Sequence, residues 1–148
     1  MAMRDGDLAA KLRDLGVSNR KIREGDVFQL HDEDVHFPET EAERKKGKGV
    51  HDSRYAVVIQ ADDSLNDPTH SRILVIPTSV TSLGRDPKPR YGIRLARGDG
   101  NLPSDCLALV DHVQPILKVR LKNYCGQLSP QSLEQLQAVL LKVLGYIQ

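Results

Sequence analysis

The chain has 148 residues, with 21 Lys and Arg residues against 20 Asp and Glu residues, and a formal net charge of +1. Apolar residues make up 39% and charged residues 28%, which is typical of a soluble globular protein with one domain. The balanced charge argues against an indiscriminate nucleic-acid binder. No apolar run approaches the ~20 residues that span a bilayer. We expect a cytoplasmic protein.

The N-terminal segment, residues 1–22, is predicted to be a helical extension that precedes a domain over residues 23–148. Gly16 follows a short amphipathic pattern as a C-cap would. Because two helical turns are marginal alone, the extension is expected to dock on the domain. The apolar positions that share its face are Leu8, Leu12 and Leu15.

A long charged loop is predicted over residues 31–53, directly after a short strand at residues 27–30. Its first part is rich in Asp and Glu, and its second part is rich in Lys and Arg. Such a segment has too little apolar surface to offset its ordering entropy. It is either a solvated insertion or a lid that contacts substrate, because long loops in compact domains are often functional.

Further strands follow along the chain, because short apolar runs rich in β-branched residues alternate with turn residues. Pro77 is expected to end ladder pairing or to place its strand at a sheet edge. Gly98 opens the strongest turn signal, Gly-Asp-Gly-Asn. The predicted strands cover residues 55–59, 73–76, 91–96 and 106–110, with 113–117 as a continuation past a bend.

The C-terminal segment is the clearest helix. Ser129 is an N-cap candidate, Pro130 takes the first helical position, and Gly145 ends the pattern. Since the strands are joined by loops, the sheet should be mostly antiparallel and curled. We therefore predict a mainly β fold with a C-terminal helix, of the small SH3-like barrel type.

Several classes of site are absent from the sequence. There is no phosphate-binding glycine loop, no dinucleotide fingerprint and no nucleophile elbow. The five histidines lack helix-borne metal spacing, and two cysteines, Cys106 and Cys125, make neither a disulfide scaffold nor a zinc site. We expect no cofactor, no metal and reduced thiols.

Polar groups at strand ends are what remains for chemistry. Arg54 precedes one apolar strand, Thr78 and Ser79 follow the next, and Asp111 and His112 interrupt a third apolar run. Ionisable groups inside such a run must be paired, exposed at a bend or functional. The residues alone leave structural alternatives open. Arg54 can be an ordinary charge at a strand edge, the two hydroxyls can belong to a turn, and the Asp-His pair can be a hydrogen-bonded polar bend.

The order and spacing of three segments resemble the MazF/PemK family of type II toxin–antitoxin toxins. The third segment contains NLPSDCLALVDHV and then GQLS, which is similar to the family stretch L-P-x-D-S-V-V-x-V-x-Q-V followed by G-x-L-S. The resemblance covers roughly residues 23–146. The segments are residues 25–27, residues 54–60 with 73–77, and residues 98–113 with 126–129.

The resemblance implies an SH3-like barrel, a homodimer and a metal-independent endoribonuclease that cuts single-stranded RNA such as mRNA. It also implies inhibition by a cognate antitoxin protein. The family credits a strand-opening arginine and a hydroxyl after the next strand with catalysis, which carry over to Arg54 and a hydroxyl cluster. The usual spacing favours Ser79, and a slipped alignment favours Thr78 or Thr81.

Proton transfer is assigned to histidines, because their pKa suits it. His51 and His112 are the best placed in the sequence. Lys46, Lys48, Thr81 and Asp111 are the candidate substrate contacts.

Some positions depart from the family pattern and leave RNA specificity open. Tyr55 stands where Pro is common, His112 where Gln is common, and Gln114 where Arg is frequent. The alternative functions are a barrel that only binds protein through residues 32–48, and a gyrase inhibitor of the CcdB type. The second depends on a Trp near the C-terminus, and this chain has no Trp.

Overall fold

The computed structural model describes residues 21–37, 53–60 and 66–148. The predicted helix near residues 7–15 and most of the predicted charged loop lie outside these ranges. No helix within them is long and apolar enough to cross a membrane. The described elements are β1 (Asp26–His31), β2 (Ser53–Val58), β3 (Arg72–Ser79), β4 (Gly92–Leu95), β5 (Cys106–Leu109), β6 (Gln114–Leu117), β7 (Asn123–Gln127) and α1 (Pro130–Val143).

The strands form one seven-stranded sheet in which every pairing is antiparallel. The order is β4-β5-β3-β2-β1-β7, and β6 also pairs with β3. This confirms the mainly β prediction with a C-terminal helix. Among the described strands the path stays open between β4 and β7, whereas the sequence predicted a closed sheet of five or six strands. The additional strand is β7, whose Asn and Gly have low strand propensity.

The expectation for Pro77 is wrong. β3 runs through this residue to Ser79, and Pro77 pairs in register with Ala56 of β2. On its other side β3 pairs with β6 up to Val75 and with β5 from Thr78 onwards. Pro77 therefore lies where the partner strand changes, a position at which that side of the ladder requires no N–H donor.

Side-chain alternation divides the core between the two faces of the sheet. Phe28 belongs to one buried cluster and its neighbour Val27 to the other. Leu136 of α1 is fully buried in the second cluster, so the helix covers that face. Since successive strand residues point to opposite faces, the clusters identify the face that each polar side chain takes.

The start of α1 agrees with the sequence prediction. Ser129 is the N-cap, and its side chain accepts a hydrogen bond from the Ser132 N–H at 3.3 Å. Asp99, in the predicted glycine turn, accepts hydrogen bonds from the Ser129 N–H at 2.8 Å and from the Ser132 hydroxyl. This carboxylate at a helix N-terminus also complements the helix dipole, so it fastens the turn to the helix.

Gly126 of β7 generates a stability prediction. A Cβ at this position would meet the backbone C and O of Gly100 at 2.9 Å. We expect Gly126→Ala to lower the free energy of unfolding by about 1–3 kcal/mol, since backbone cannot yield as a side chain can. Gly84→Ala is the matched control, because a Cβ there meets nothing within 4 Å. Urea unfolding of both variants measures the difference, and equal stability would contradict this packing argument.

Candidate active site

Arg54, near the start of β2, has its guanidinium fixed by three contacts. Nε donates to Oδ1 of Asp32 at 2.5 Å. The ring of Phe37 covers one face, with Cζ 4.4 Å from the ring centroid, and Nη1 lies 3.5 Å from the Thr78 carbonyl oxygen. The Arg54 side chain is only 11% exposed and that of Asp32 only 3%. The orientation of the guanidinium plane is therefore determined by its surroundings.

The segment after β1 brings Asp32 and Phe37 to this arginine. Leu30 of β1 pairs with Arg54, and a 3₁₀ turn, Asp32–Asp34, follows at once. The chain must therefore pass beside the Arg54 side chain. Phe37 is buried in the same core cluster as Leu30.

Gln114 of β6 anchors the end of this segment. Its Oε1 accepts from the His36 N–H at 2.9 Å, and its Nε2 donates to the His36 carbonyl at 3.1 Å. Nε2 also donates to the His112 carbonyl at 3.0 Å. One side chain thus ties the segment that carries Phe37 to the turn that carries His112.

Ser79 and Thr78 lie on opposite faces of the sheet. Continuing the β2–β3 register from the pair Ala56 and Pro77 by two residues places Ser79 across from Arg54, on the same face. Thr78 points to the other face, where its hydroxyl donates to the Tyr55 carbonyl at 2.8 Å. Strand alternation therefore groups Arg54 with Ser79 and separates it from the Thr78 hydroxyl.

The Ser79 hydroxyl is buried, with the residue 6% exposed. Its Oγ accepts from the Ser82 N–H at 3.1 Å and from the Ser82 hydroxyl at 3.0 Å. No acceptor for its own proton is found within residues 21–37, 53–60 and 66–148. The Ser79 hydroxyl is thus held in place by two donors and retains its capacity to donate.

His112 occupies the 3₁₀ turn Val110–His112 between β5 and β6. Its Nδ1 lies 3.0 Å from Oδ1 of Asp111, and its side chain is 10% exposed against 42% for Asp111. The imidazole centroid is 5.8 Å from that of Phe37. Phe37 therefore contacts both the Arg54 guanidinium and the His112 ring.

Of the other predicted site residues, one is described and is not brought into this group. Thr81 is exposed at the start of the turn Thr81–Gly84, and no hydrogen bond or ion pair joins it to Arg54 or His112. His51, Lys46 and Lys48 lie outside the described residues. In the described part of the chain, no three His, Cys, Asp or Glu side chains are grouped as a metal site requires.

Sequence reasoning missed Asp32 and Phe37 as parts of the site. Asp32 resembles its exposed neighbour Glu33, and composition alone does not separate a buried acid from a solvated one. Phe37 did carry a signal, because it is a large aromatic residue within an acidic segment and such a side chain tends to be buried.

A family model for PemK-like, MazF-like toxins of type II toxin–antitoxin systems matches residues 35–144. The chain belongs to this family. The match covers well over half of the sequence, including β2 to β7 and the whole of α1. It confirms the resemblance found in the sequence.

Solved structures share the fold of this PemK/MazF chain at low sequence identity. An endoribonuclease from Mycobacterial species is 12% identical, with a TM-score of 0.58, over 85% of this chain and 93% of its own. MazF from Deinococcus radiodurans is 15% identical, with a TM-score of 0.59, over 84% and 96%. A MazE–MazF structure from the same organism is 14% identical, with a TM-score of 0.57, over 84% and 95%. Comparison with curated proteins gives no significant match.

The face opposite Arg54 generates a test of thiol reactivity. Burial raises the pKa of Cys106, whose side chain hydrogen-bonds with Thr78, to about 11. The thiolate is the reactive form, so at pH 8 Cys106 should resist iodoacetamide until the protein unfolds. The Cys125→Ser variant isolates this thiol, and mass spectrometry in native buffer and in urea measures its modification. Rapid alkylation of the native protein would contradict a buried Thr78 face.

Proposed function

We propose that this PemK/MazF toxin is an endoribonuclease that cleaves single-stranded RNA, such as mRNA, without a metal ion. One observation carries the proposal: a fixed arginine and a serine opposite it in register share one face of the sheet, and a histidine contacts the same aromatic neighbour as the arginine. Family membership and the endoribonuclease named among the structural neighbours add independent support.

Metal-free RNA cleavage sets three chemical requirements. The 2′-oxygen loses its proton and forms a bond to the adjacent phosphorus, while the bond from phosphorus to the 5′-oxygen breaks. The products are a 2′,3′-cyclic phosphate and a 5′-hydroxyl. Catalysis therefore needs a group that accepts the 2′ proton, a group that stabilises the phosphorane charge, and a proton donor for the leaving oxygen. Single-stranded RNA suits this reaction because it can adopt in-line geometry.

Arg54 is assigned to stabilise the phosphorane. Its planar guanidinium matches the spacing of phosphate oxygens and donates hydrogen bonds only, so it is not assigned as the base. With Nε bound to Asp32, the nitrogens that remain for the substrate are Nη1 and Nη2. Ser79 is assigned as a second donor to a phosphate oxygen.

His112 is assigned to move a proton. The Asp111 carboxylate beside Nδ1 favours the tautomer in which Nδ1 carries the proton and Nε2 accepts one. Nε2 can then take the 2′ proton. The other proton transfer is proposed for His51, as the sequence predicted.

The same proposal includes the partners. A cognate antitoxin would inhibit the toxin, as the MazE–MazF complex among the neighbours suggests by analogy. We also propose a homodimer, and RNA contacts from Lys46, Lys48, Thr81 and Asp111.

Cleavage of single-stranded RNA in EDTA tests the function. We expect the wild type to cut and Arg54→Ala to cut about 10²–10³-fold more slowly, the usual cost of losing one electrostatic stabiliser. Arg54→Lys should retain part of the rate, since it keeps the charge. An RNA with a 2′-deoxy nucleotide at the cut position should stay intact. Wild-type protein that leaves a broad panel of sequences uncut would overturn the proposal.

The two neighbouring hydroxyls form a matched pair of variants. Ser79→Ala should lower the cleavage rate about 10–100-fold, since a hydrogen bond to a charged group is worth about 1.5–3 kcal/mol. Thr78→Val should leave the rate near the wild-type value and lower the stability by about 1–3 kcal/mol, because the Tyr55 carbonyl loses its donor. Single-turnover kinetics and thermal unfolding measure the two effects. The reverse pattern would assign the role to Thr78.

A further inference from the structure

Asp32 is a buried acid in direct contact with Arg54. Its side chain is 3% exposed, and Oδ1 lies 2.5 Å from Nε. A carboxylate so far from water is stable only with a partner that offsets its desolvation. Arg54 is one such partner, and the two buried charges offset part of each other's desolvation.

The contact uses one edge of the guanidinium. The Asp32 carboxylate accepts a hydrogen bond from Nε and does not form a bidentate pair with the two terminal nitrogens. Phe37 covers one face, and the Thr78 carbonyl lies beside Nη1. Within residues 21–37, 53–60 and 66–148, Nη2 has no hydrogen-bond partner, and we propose that it donates to the phosphate.

We infer that Asp32 is a positioning residue for RNA cleavage, which holds the Arg54 guanidinium in its plane while the terminal nitrogens meet the scissile phosphate. The inference rests on the proposed endoribonuclease function. It assigns Asp32 no contact with the RNA and no proton transfer.

Because Asp32 is negatively charged, its effect on the orientation of Arg54 can be distinguished from its repulsion of the RNA phosphate. A carboxylate beside the site repels phosphate. A variant without this charge should therefore bind RNA at least as tightly as the wild type. If orientation matters, the same change should slow the chemical step, because small misplacements of a catalytic group are costly. If Asp32 positions Arg54, loss of its charge should lower kcat without weakening RNA binding. If Asp32 instead competes with the phosphate for Arg54, the same change should speed cleavage.

The decisive comparison is Asp32→Asn against Glu33→Gln. Glu33 lies in the same turn, is exposed, and loses the same charge. We expect Asp32→Asn to lower the single-turnover rate 10–100-fold while its Kd for an RNA with a 2′-deoxy cut position stays equal or falls. Glu33→Gln should stay within about twofold of the wild-type rate. An Asp32→Asn rate equal to or above that of the wild type overturns the inference.

A measurement on the wild type covers the case in which Asp32→Asn does not fold. The Nε–H signal of Arg54, assigned by its loss in Arg54→Lys, should remain protected from exchange when the 2′-deoxy RNA binds. Loss of protection on binding would mean that the RNA displaces Asp32, and would overturn the inference. A wild type that binds RNA but never cuts overturns the proposed function instead, and the two failures are thus distinguishable.

Discussion

The ion pair between Arg54 and Asp32 is the contact on which the arrangement of the candidate site depends. An arginine that is 11% exposed needs a counter-charge, and the turn after β1 supplies it. The same turn leads the chain to Phe37, which packs on the guanidinium face and reaches the His112 ring. A requirement of electrostatics thus determines where an aromatic residue and a histidine come together, although they are distant in the sequence.

The pleat of β3 decides which hydroxyl shares a face with that arginine. Thr78 and Ser79 are neighbours with similar chemistry, yet one is bonded to the Tyr55 carbonyl and the other to Ser82. Because the side-chain period of a strand is two, a register slip of one residue would exchange their positions. Pairing of β3 with strands on both of its sides fixes that register.

Local signals in the sequence were enough for most of the fold and part of the site. Ser129 and Pro130 marked the start of α1, and apolar runs marked the central strands. β7 was missed because its pairing with β1 is long-range and its residues have weak strand preference. In the site, Arg54 and His112 stood out as charges beside apolar runs. Asp32 did not, because its burial depends on the position of Arg54 on another strand, which no local pattern contains.

The hydrogen bonds that the Gln114 side chain makes to residues 36 and 112 place different demands on the residues they join. Its bonds at residue 36 go to main-chain groups, which every amino acid except proline provides in full. A substitution at residue 36 other than proline therefore leaves both bonds intact, whereas a side chain at 114 that cannot both donate and accept breaks at least one of them. The connection between the segment that carries Phe37 and the turn that carries His112 therefore depends on the side chain of residue 114 and not on that of residue 36.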